Sequence, residues 1–380
     1  MKLSSLPRKV VRGLPYLGKE LRAIISDRTP LFVAVPRTVH IWREAPCNAK
    51  CIMCTYGYMK GEAYRAISIS PFTDEMMPRA LSEIHELCGR GTLVSYMGGE
   101  PTCCRGITEW IEQCGRLGLD FRFTTNGYLM NEEMARRFVA AGLFNIGVSI
   151  ESLDPQINEI IRPHPQGTAK ALRCIELLLQ ERERQKKHIS INIKTVLTSV
   201  NMESFVEIVK RFGKIEGVIC TPQLFEPLVD MPLETRQMLY IRDVSRMERL
   251  TAQIIKLKRQ GYAVHATEQS LNDLVRVCRE AIEGTFIMGS EKLEMDPSEP
   301  NCNIATDNLW IFNGQVKLCP NYPPVGNMIT DTRTTLKQIW EAEATRRVRA
   351  GTRACRKLCT ISCLRRTPLS HKISTFLKIA

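Results

Sequence analysis

Short apolar segments alternate with longer amphipathic segments between about residues 38 and 225. The short segments are five to nine residues long and rich in β-branched and aromatic side chains, which predicts strands. The predicted strands are Thr38–Trp42, Leu93–Met97, Asp120–Thr124, Phe144–Ser149, Ile189–Leu197 and Gly217–Thr221.

Helical patterns separate the later strands, at Ile107–Leu117, Asn131–Ala141, Thr168–Glu183 and Met202–Phe212. Asn131 is suited to cap the start of its helix, and Gly142 lies just past its end. Strands that alternate with helices are typical of βα units around a parallel sheet, curved or closed. The pattern alone does not exclude a doubly wound flat sheet.

The chain changes character after residue 225. Two charged helical stretches, Glu234–Gln260 and Gln269–Glu283, precede a polar linker with two prolines at Met288–Pro300. The segment LWIFNGQVKLCP then predicts a β-hairpin around the turn Asn313-Gly314, with Cys319 at its exit.

Composition narrows the class of protein. The 380 residues are 44% hydrophobic and 24% charged, as expected of a folded chain with a substantial core. No apolar stretch is long enough to span a membrane, and the basic N-terminus lacks the core of a secretory signal, so we expect a cytoplasmic protein. In that compartment the 15 cysteines favour metal or cluster ligation, or catalysis, over disulfides.

Positive charge is concentrated at the two ends. Residues 1–45 carry a net +6 and residues 341–380 a net +8, whereas the middle of the chain is nearly neutral. A nucleic-acid enzyme would more often carry its basic residues toward the active site, so nucleic acid is an unlikely partner. Apolar residues at helical spacing near both ends allow contact with an anionic membrane surface, or simple packing on the domain. These residues are Val10, Leu14, Leu17, Leu21, Ile24, Ile25, Leu369, Ile373, Phe376 and Leu377.

Three cysteines, Cys47, Cys51 and Cys54, follow the first predicted strand with C-x3-C-x2-C spacing. Four thiolates normally hold an iron–sulfur cube, so three on one loop leave one iron open for a small molecule with an amine and a carboxylate. A zinc site and three structural cysteines are the alternatives, but zinc sites prefer paired C-x2-C units.

The second strand leads into Gly98-Gly99-Glu100-Pro101, where glycines allow close backbone approach and a carboxylate can pair with an ammonium group. Together with the cysteine loop, this segment resembles the signature of the radical S-adenosylmethionine (SAM) superfamily. The resemblance implies a partial (βα)6 TIM-like barrel within an α/β fold. It also implies a [4Fe-4S] cluster on the three cysteines, with Gly98, Gly99, Glu100 and Pro101 holding the methionine amino group of SAM.

The resemblance extends to further SAM-binding positions near the ends of later strands: Asn126 in the turn Thr125-Asn126-Gly127, Ser149, Glu151, Arg162, and Val196–Thr198 near the adenine. Met53 replaces the family's usual aromatic residue before the third cysteine, and Tyr56 is the expected substitute. Cys103-Cys104 lies at a predicted helix start, where the helix dipole would lower the pKa of a thiol near SAM. Packing of two small side chains is the favoured interpretation.

A second cysteine group resembles the SPASM domain, the auxiliary-cluster module of many radical SAM enzymes. It consists of Cys302, Cys319, Cys355, Cys359 and Cys363. Five cysteines suffice for one auxiliary [4Fe-4S] cluster, for which Cys302, Cys319 and Cys363 are favoured, with Cys355 or Cys359 as the fourth ligand. A zinc site is the alternative.

The implied domains are a basic N-terminal segment (1–37), the barrel (38–225), a helical linker region (226–300), a cysteine-rich hairpin and loop domain (301–365) and a basic tail (366–380).

The implied activity is reductive cleavage of SAM to a 5′-deoxyadenosyl radical that takes hydrogen from a peptide, a sugar or a lipid-linked small molecule. The outcome would be oxidation, cross-linking or epimerisation. A low-potential electron donor of the flavodoxin or ferredoxin type would be needed. The alternative is an iron–sulfur electron-transfer or binding protein that does not cleave SAM.

Overall fold

One mixed sheet of nine strands organises the molecule, for which a computed structural model describes Arg22 and residues 34–227, 231–282 and 308–354. The strands are β1 Thr38–Arg43, β2 Leu93–Gly98, β3 Asp120–Thr125, β4 Asn145–Ser149, β5 Ser190–Leu197, β6 Val218–Leu224, β7 Asn308–Phe312, β8 Gln315–Lys317 and β9 Gly326–Asn327. The predicted amphipathic ends, the linker, Cys302, Cys355, Cys359 and Cys363 lie outside the described residues.

The first six strands confirm the predicted parallel sheet. They lie in the order β6-β5-β4-β3-β2-β1, and each is parallel to its neighbour. A doubly wound sheet reverses its strand order at a switch point, and no reversal occurs here. Among the described strands, β6 and β9 form the two edges of the sheet and do not pair with each other, so the fold is a partial barrel.

The hairpin continues this sheet. Strand β7 pairs in parallel with β1, β8 returns antiparallel to β7, and β9 pairs with β8. Both turn residues, Asn313 (φ 46°) and Gly314 (φ 85°), have the positive φ values that a two-residue hairpin turn needs. The hairpin therefore forms as predicted and extends the barrel wall beside β1.

Most of the described helices pack against the sheet in one main core. The helices of the described residues are α1 Thr55–Tyr58, α2 Gly61–Ser68, α3 Met77–Cys88, α4 Ile107–Leu117, α5 Glu132–Ala141, α6 Pro155–Ile161, α7 Gly167–Gln185, α8 Ser204–Phe212, α9 Leu233–Leu239, α10 Val244–Arg259, α11 Glu268–Ile282, α12 Leu336–Glu341 and α13 Glu343–Ala354. The prediction of one helix over Glu234–Gln260 is wrong. The chain is extended at Tyr240, and Asp243 caps a new helix by accepting from the Arg246 backbone N–H.

Alternate strand residues pack beneath the helices. Val39, Ile41, Phe121 and Phe123, for example, are all buried in the main core. The residues between them face the opposite, concave side of the partial barrel, and the strand ends meet at one edge. In the described part of the chain, no helix is long and apolar enough to cross a membrane.

Candidate functional site

The cysteine loop leaves β1 at the carboxyl edge of the sheet and folds into tight turns. The Cys54 backbone N–H donates to the Cys51 carbonyl (3.1 Å), and the Gly57 N–H donates to the Cys54 carbonyl (2.8 Å). A Cβ on Gly57 would lie 1.9 Å from the Cys51 carbonyl oxygen, so only glycine fits there. The loop thus presents Cys47, Cys51 and Cys54 from one compact segment.

The glycines after β2 let two backbone segments meet. Gly98 has φ 138°, and a Cβ on it would lie 1.7 Å from the Arg43 carbonyl oxygen. A Cβ on Gly99 would lie 2.0 Å from the Ala45 carbonyl oxygen. The Glu100 N–H then donates to the Pro46 carbonyl (3.0 Å). The two glycines therefore hold the end of β2 against the start of the cysteine loop.

The buried Glu100 carboxylate joins the ends of β2 and β3. It accepts from the Thr102 N–H (3.1 Å) and hydroxyl (2.6 Å), the Thr125 hydroxyl (2.5 Å) and the Asn126 N–H (2.8 Å). Burial raises the pKa of Glu100, and these donors oppose the rise because they favour the charged form. The hydrogen bonds of this carboxylate therefore join the end of β2 to the end of β3.

The turn after β3 reaches the cysteine loop through a side chain. Asn126 Nδ2 donates to Asn48 Oδ1 (2.7 Å), and its Oδ1 accepts from the Tyr128 N–H (2.9 Å). Tyr128 packs against Cys51, and its buried hydroxyl has no hydrogen-bond partner among the described residues. Sequence analysis missed Asn48 and Tyr128, although an aromatic residue directly after the Thr-Asn-Gly turn was a usable signal.

A third contact comes from the end of β4. Glu151 is fully buried, and its carboxylate accepts from Arg162 Nε (2.8 Å) and Nη2 (2.7 Å) and from the Val196 N–H (2.7 Å). Arg162 Nη1 in turn donates to Cys51 Sγ (3.2 Å). Burial raises the pKa of Glu151, an effect that the Arg162 guanidinium opposes. The buried ion pair with Glu151 thus holds the Arg162 guanidinium against the Cys51 sulfur.

Two of the loop's thiols, those of Cys47 and Cys51, lie in a poorly solvated environment. Burial, together with the neighbouring Glu100, Cys51 and Cys54, raises the pKa of Cys47 to about 12. Burial also raises the pKa of Cys51, while Arg162 lowers it. Each cysteine of a four-iron cube binds its own iron, so the sulfurs need not converge as ligands of one ion would. Among the described residues, no three His, Cys, Asp or Glu side chains come close enough together to hold a single metal ion.

The remaining SAM-binding candidates differ in their surroundings. Ser149 ends β4 on the concave face, beside Lys194 of β5. Pro101 is buried at the start of a short turn after β2. Tyr56 is also buried, and its hydroxyl donates to the Ile67 carbonyl (2.8 Å), which commits it to the loop's own folding. Tyr128 is therefore the better-placed aromatic residue beside the cysteines.

Cys103 and Cys104 lie in and after a short turn, and α4 begins at Ile107. Burial raises the pKa of both thiols, that of Cys103 to about 11, which is opposite to the lowering expected at a helix start. Cys104 Sγ lies 3.2 Å from the Tyr96 hydroxyl. Five further cysteines are buried in the main core: Cys88, Cys114, Cys174, Cys220 and Cys278.

Cys319 is the one described member of the second cysteine group. It is buried next to Trp310, and Trp42, Met97 and Tyr322 pack against the pair. Cys319 thus lies beside the strands that carry the cysteine loop and the glycine motif.

Comparison with protein families identifies residues 46–212 as a radical SAM superfamily domain. The chain is 24% identical over 183 residues to an AdoMet-dependent heme synthase from Methanosarcina barkeri, which covers 47% of this chain and 49% of that protein. It is 34% identical over 132 residues to a probable GTP 3′,8-cyclase from Methanosarcina mazei, which covers 34% of this chain and 37% of that protein. The alignments therefore span about half or less of these relatives.

Solved structures share the fold. Streptococcus suis SuiB superposes with a TM-score of 0.60 at 15% identity, covering 90% of this chain and 73% of SuiB. The structure of anSMEcpe with bound AdoMet and Cp18Cys peptide gives a TM-score of 0.55 at 17% identity, covering 82% of this chain and 81% of that one. The family match and this shared fold agree that residues 46–212, which include the cysteine loop, form a radical SAM domain.

Proposed function

We propose that this chain is a radical SAM enzyme whose Cys47, Cys51 and Cys54 hold a [4Fe-4S] cluster that binds SAM. One observation carries the proposal: residues fixed at three strand ends contact the cysteine loop. Glu100 after β2 bonds to Pro46, and Asn126 after β3 bonds to Asn48. Arg162, which is paired with Glu151 after β4, donates to Cys51. Such cross-linking fixes the positions of the three thiols. When bound and reduced, the cluster supplies the electron that splits SAM into methionine and a 5′-deoxyadenosyl radical.

The surrounding residues suit this role. The tightly apposed Gly98-Gly99 backbone allows a ligand to approach the end of β2 closely, where the methionine amino group would bind. Arg162 offers a fixed guanidinium for the methionine carboxylate or for a ligand sulfur. The Tyr128 hydroxyl, which has no hydrogen-bond partner among the described residues, is a further donor at the same place. Ser149, Asn126 and Glu151 would complete the SAM site from neighbouring strand ends.

We also propose an auxiliary [4Fe-4S] cluster on Cys302, Cys319 and Cys363, with Cys355 or Cys359 as the fourth ligand. The position of Cys319 supports it, because this thiol lies against Trp42 and Met97, close to where the cysteine loop and glycine motif begin. A cluster there would exchange electrons with a substrate on the concave face, which favours a two-electron oxidation, a cross-link or an epimerisation.

The proposed substrate is a peptide, a sugar or a lipid-linked small molecule. The heme, GTP and nucleotide enzymes among the relatives favour a small molecule, whereas SuiB bound to the precursor peptide SuiA favours a peptide. A low-potential flavodoxin or ferredoxin would supply electrons.

The test is anaerobic reconstitution with iron and sulfide, metal analysis, and a 5′-deoxyadenosine assay with dithionite and SAM. We expect about eight irons per chain, four per cluster, and formation of 5′-deoxyadenosine. Cys51→Ala should lose about four irons and all SAM cleavage. Cys88→Ala, which removes a buried thiol of α3, is the control and should lose neither. Clusters without 5′-deoxyadenosine in the wild type would instead indicate an electron-transfer protein.

A further inference from the structure

A chain of side-chain contacts leads from the buried Cys51 to the protein surface. Cys51 is 7% exposed, and Tyr128 packs against it. Tyr128 in turn contacts His164, with ring centroids 4.1 Å apart and ring planes tilted by 37°. His164 is half-buried, so part of its ring reaches solvent. Two noncovalent contacts therefore join a thiol of the cysteine loop to an accessible imidazole.

Hydrogen bonds fix the position of this imidazole. His164 Nδ1 lies 2.7 Å from the Pro165 carbonyl oxygen, which can only accept, so this nitrogen carries the proton and donates. The Gly167 N–H donates to the His164 carbonyl (2.9 Å). At the end of α6, the Ile161 carbonyl accepts from the Ile52 N–H (3.0 Å) of the cysteine loop. The segment that carries His164 is therefore tied to the cysteine loop.

Apolar side chains are exposed next to both ends of the ring contact. Leu129 follows Tyr128 in the chain and is 43% exposed, and Ile160 in the last turn of α6 is 47% exposed. Large apolar side chains that face solvent close together are typical of a surface that another protein covers. We define the His164 surface as His164, Leu129, Ile160 and the first turn of α7.

The first turn of α7 gives this surface a positive end. This helix of 19 residues starts without a side-chain cap and without an acidic residue in its first turn. Among the described residues, the backbone N–H groups of Thr168 and Ala169 have no acceptor. Such N–H groups carry the partial positive charge of a helix N-terminus, and the nearby Lys170 adds a full charge.

The neighbouring segments have the same sign of charge. Residues 48–66 and 158–170 together carry five Lys and Arg against two Glu. Lys50 and Lys60 of the first segment are exposed. A partner that covers the His164 surface would therefore be favoured by negative charge, which also steers its approach.

We propose that a small acidic electron-carrier protein docks on the His164 surface and reduces the cluster across the Tyr128–His164 contact. The inference rests on the proposed function, since it assumes a cluster bound to Cys51. SAM would occupy the open iron, so a carrier has to approach from the side of a cysteine ligand. Weak electron-transfer complexes bury little area, which suits a surface of a few residues.

The step moves one electron and nothing else. The reduced carrier loses the electron and the oxidised cluster gains it, while no bond forms or breaks and no proton is transferred. Tyr128 and His164 are neither oxidised nor reduced. Their packed atoms fill the gap between the carrier and the Cys51 sulfur, which a docked protein cannot touch directly.

The test is anaerobic stopped-flow reduction of the reconstituted full chain, followed by the loss of the cluster's visible absorbance. The reductants are a reduced acidic flavodoxin, a reduced acidic ferredoxin and dithionite, which is small and needs no docking surface. We expect reduction by at least one of the two carriers, with a bimolecular rate constant that falls as the ionic strength rises. Reduction by dithionite should not depend on the His164 surface.

Variants separate docking from electron transfer. Leu129→Ser and Ile160→Ser should each lower the bimolecular rate constant with the carrier about fivefold and leave the dithionite rate within about twofold. The matched control is Phe144→Ser, which removes an equally exposed apolar side chain just before β4, at the opposite edge of the sheet, and should change neither rate. His164→Ala should lower the limiting rate at saturating carrier, and His164→Phe, which restores a ring, should recover it.

Three results would overturn the inference: no reduction by either carrier of a chain that dithionite reduces, wild-type carrier rates in the Leu129, Ile160 and His164 variants, or an equal loss in Phe144→Ser. The 5′-deoxyadenosine assay with dithionite keeps the two proposals apart. SAM cleavage with carrier rates that ignore the His164 surface refutes this inference alone. Carrier rates that depend on the surface, without SAM cleavage, refute the proposed function and leave the docking surface standing.

Discussion

Thr125 shows how a single hydroxyl supports the site. It donates to the Glu100 carboxylate and accepts from the Gly127 N–H (2.9 Å). Thr125→Val keeps the shape but removes a charge-assisted hydrogen bond, so the free energy of unfolding should fall by about 2–3 kcal/mol. Thr195→Val removes a bond from an equally buried threonine to a neutral carbonyl of Ile150, and should cost about 1 kcal/mol. Urea unfolding compares the two variants, and equal losses would contradict a charged Glu100.

His40 predicts a pH dependence of stability. Its pKa is lowered from 6.5 to about 4, mainly by burial, so below pH 6.5 the unfolded chain binds a proton that the folded chain excludes. The fold should therefore lose stability as the pH falls from 6.5 toward 4, by about 2 kcal/mol at pH 5.

His40→Gln should remove this loss, whereas the exposed-residue control His188→Gln should keep it. Thermal unfolding midpoints between pH 5 and 8 provide the measurement. Parallel pH profiles for the wild type and His40→Gln would show that the imidazole titrates normally in the fold.

At the scale of elements, the hairpin turn is hydrogen-bonded to the segments on either side of the cysteine loop. Asn313 Oδ1 accepts from the Glu44 N–H (2.9 Å) and the Ser70 hydroxyl (3.0 Å), and its own N–H donates to the Trp42 carbonyl (2.8 Å). Asn313→Gly tolerates the positive φ but loses both accepted bonds, so the free energy of unfolding should fall by about 2 kcal/mol. Asn313→Asp keeps the acceptor and is the matched control in urea unfolding. Equal stability of the two variants would refute this role of the turn.

Local signals predicted the strands and most barrel helices, because alternating apolar residues and caps such as Asn131 act over a few positions. The break at Tyr240–Asp243 was missed because charged helical residues continue on both sides, although Asp243 is a capping residue. Motifs located the cysteines and the Gly98-Gly99 turn. The contacts of Asn48 with Asn126 and of Cys51 with Arg162 join distant segments, so no local pattern could predict them.

At the scale of the whole molecule, the sheet brings Cys319 to the side of the first cysteine group. Strand β1 leads into the Cys47–Cys54 loop, and its neighbour β7 begins the hairpin that ends at Cys319. Trp42 of β1 packs against Cys319 and Trp310. Pairing of β1 with β7 thus couples the position of Cys319 to that of the first cysteine group, as the proposed pair of clusters acting on one substrate would require.

Iron content tests whether the molecule holds two independent clusters. Cys319→Ala and Cys51→Ala should each lower the reconstituted iron from about eight to about four per chain, and the double variant should hold almost none. Losses add in this way only if the cysteines serve separate clusters. Cys278→Ala, which removes a buried thiol of α11, should keep all eight irons. Unchanged iron in Cys319→Ala, with about one zinc lost instead, would assign the second cysteine group to zinc and remove its redox role.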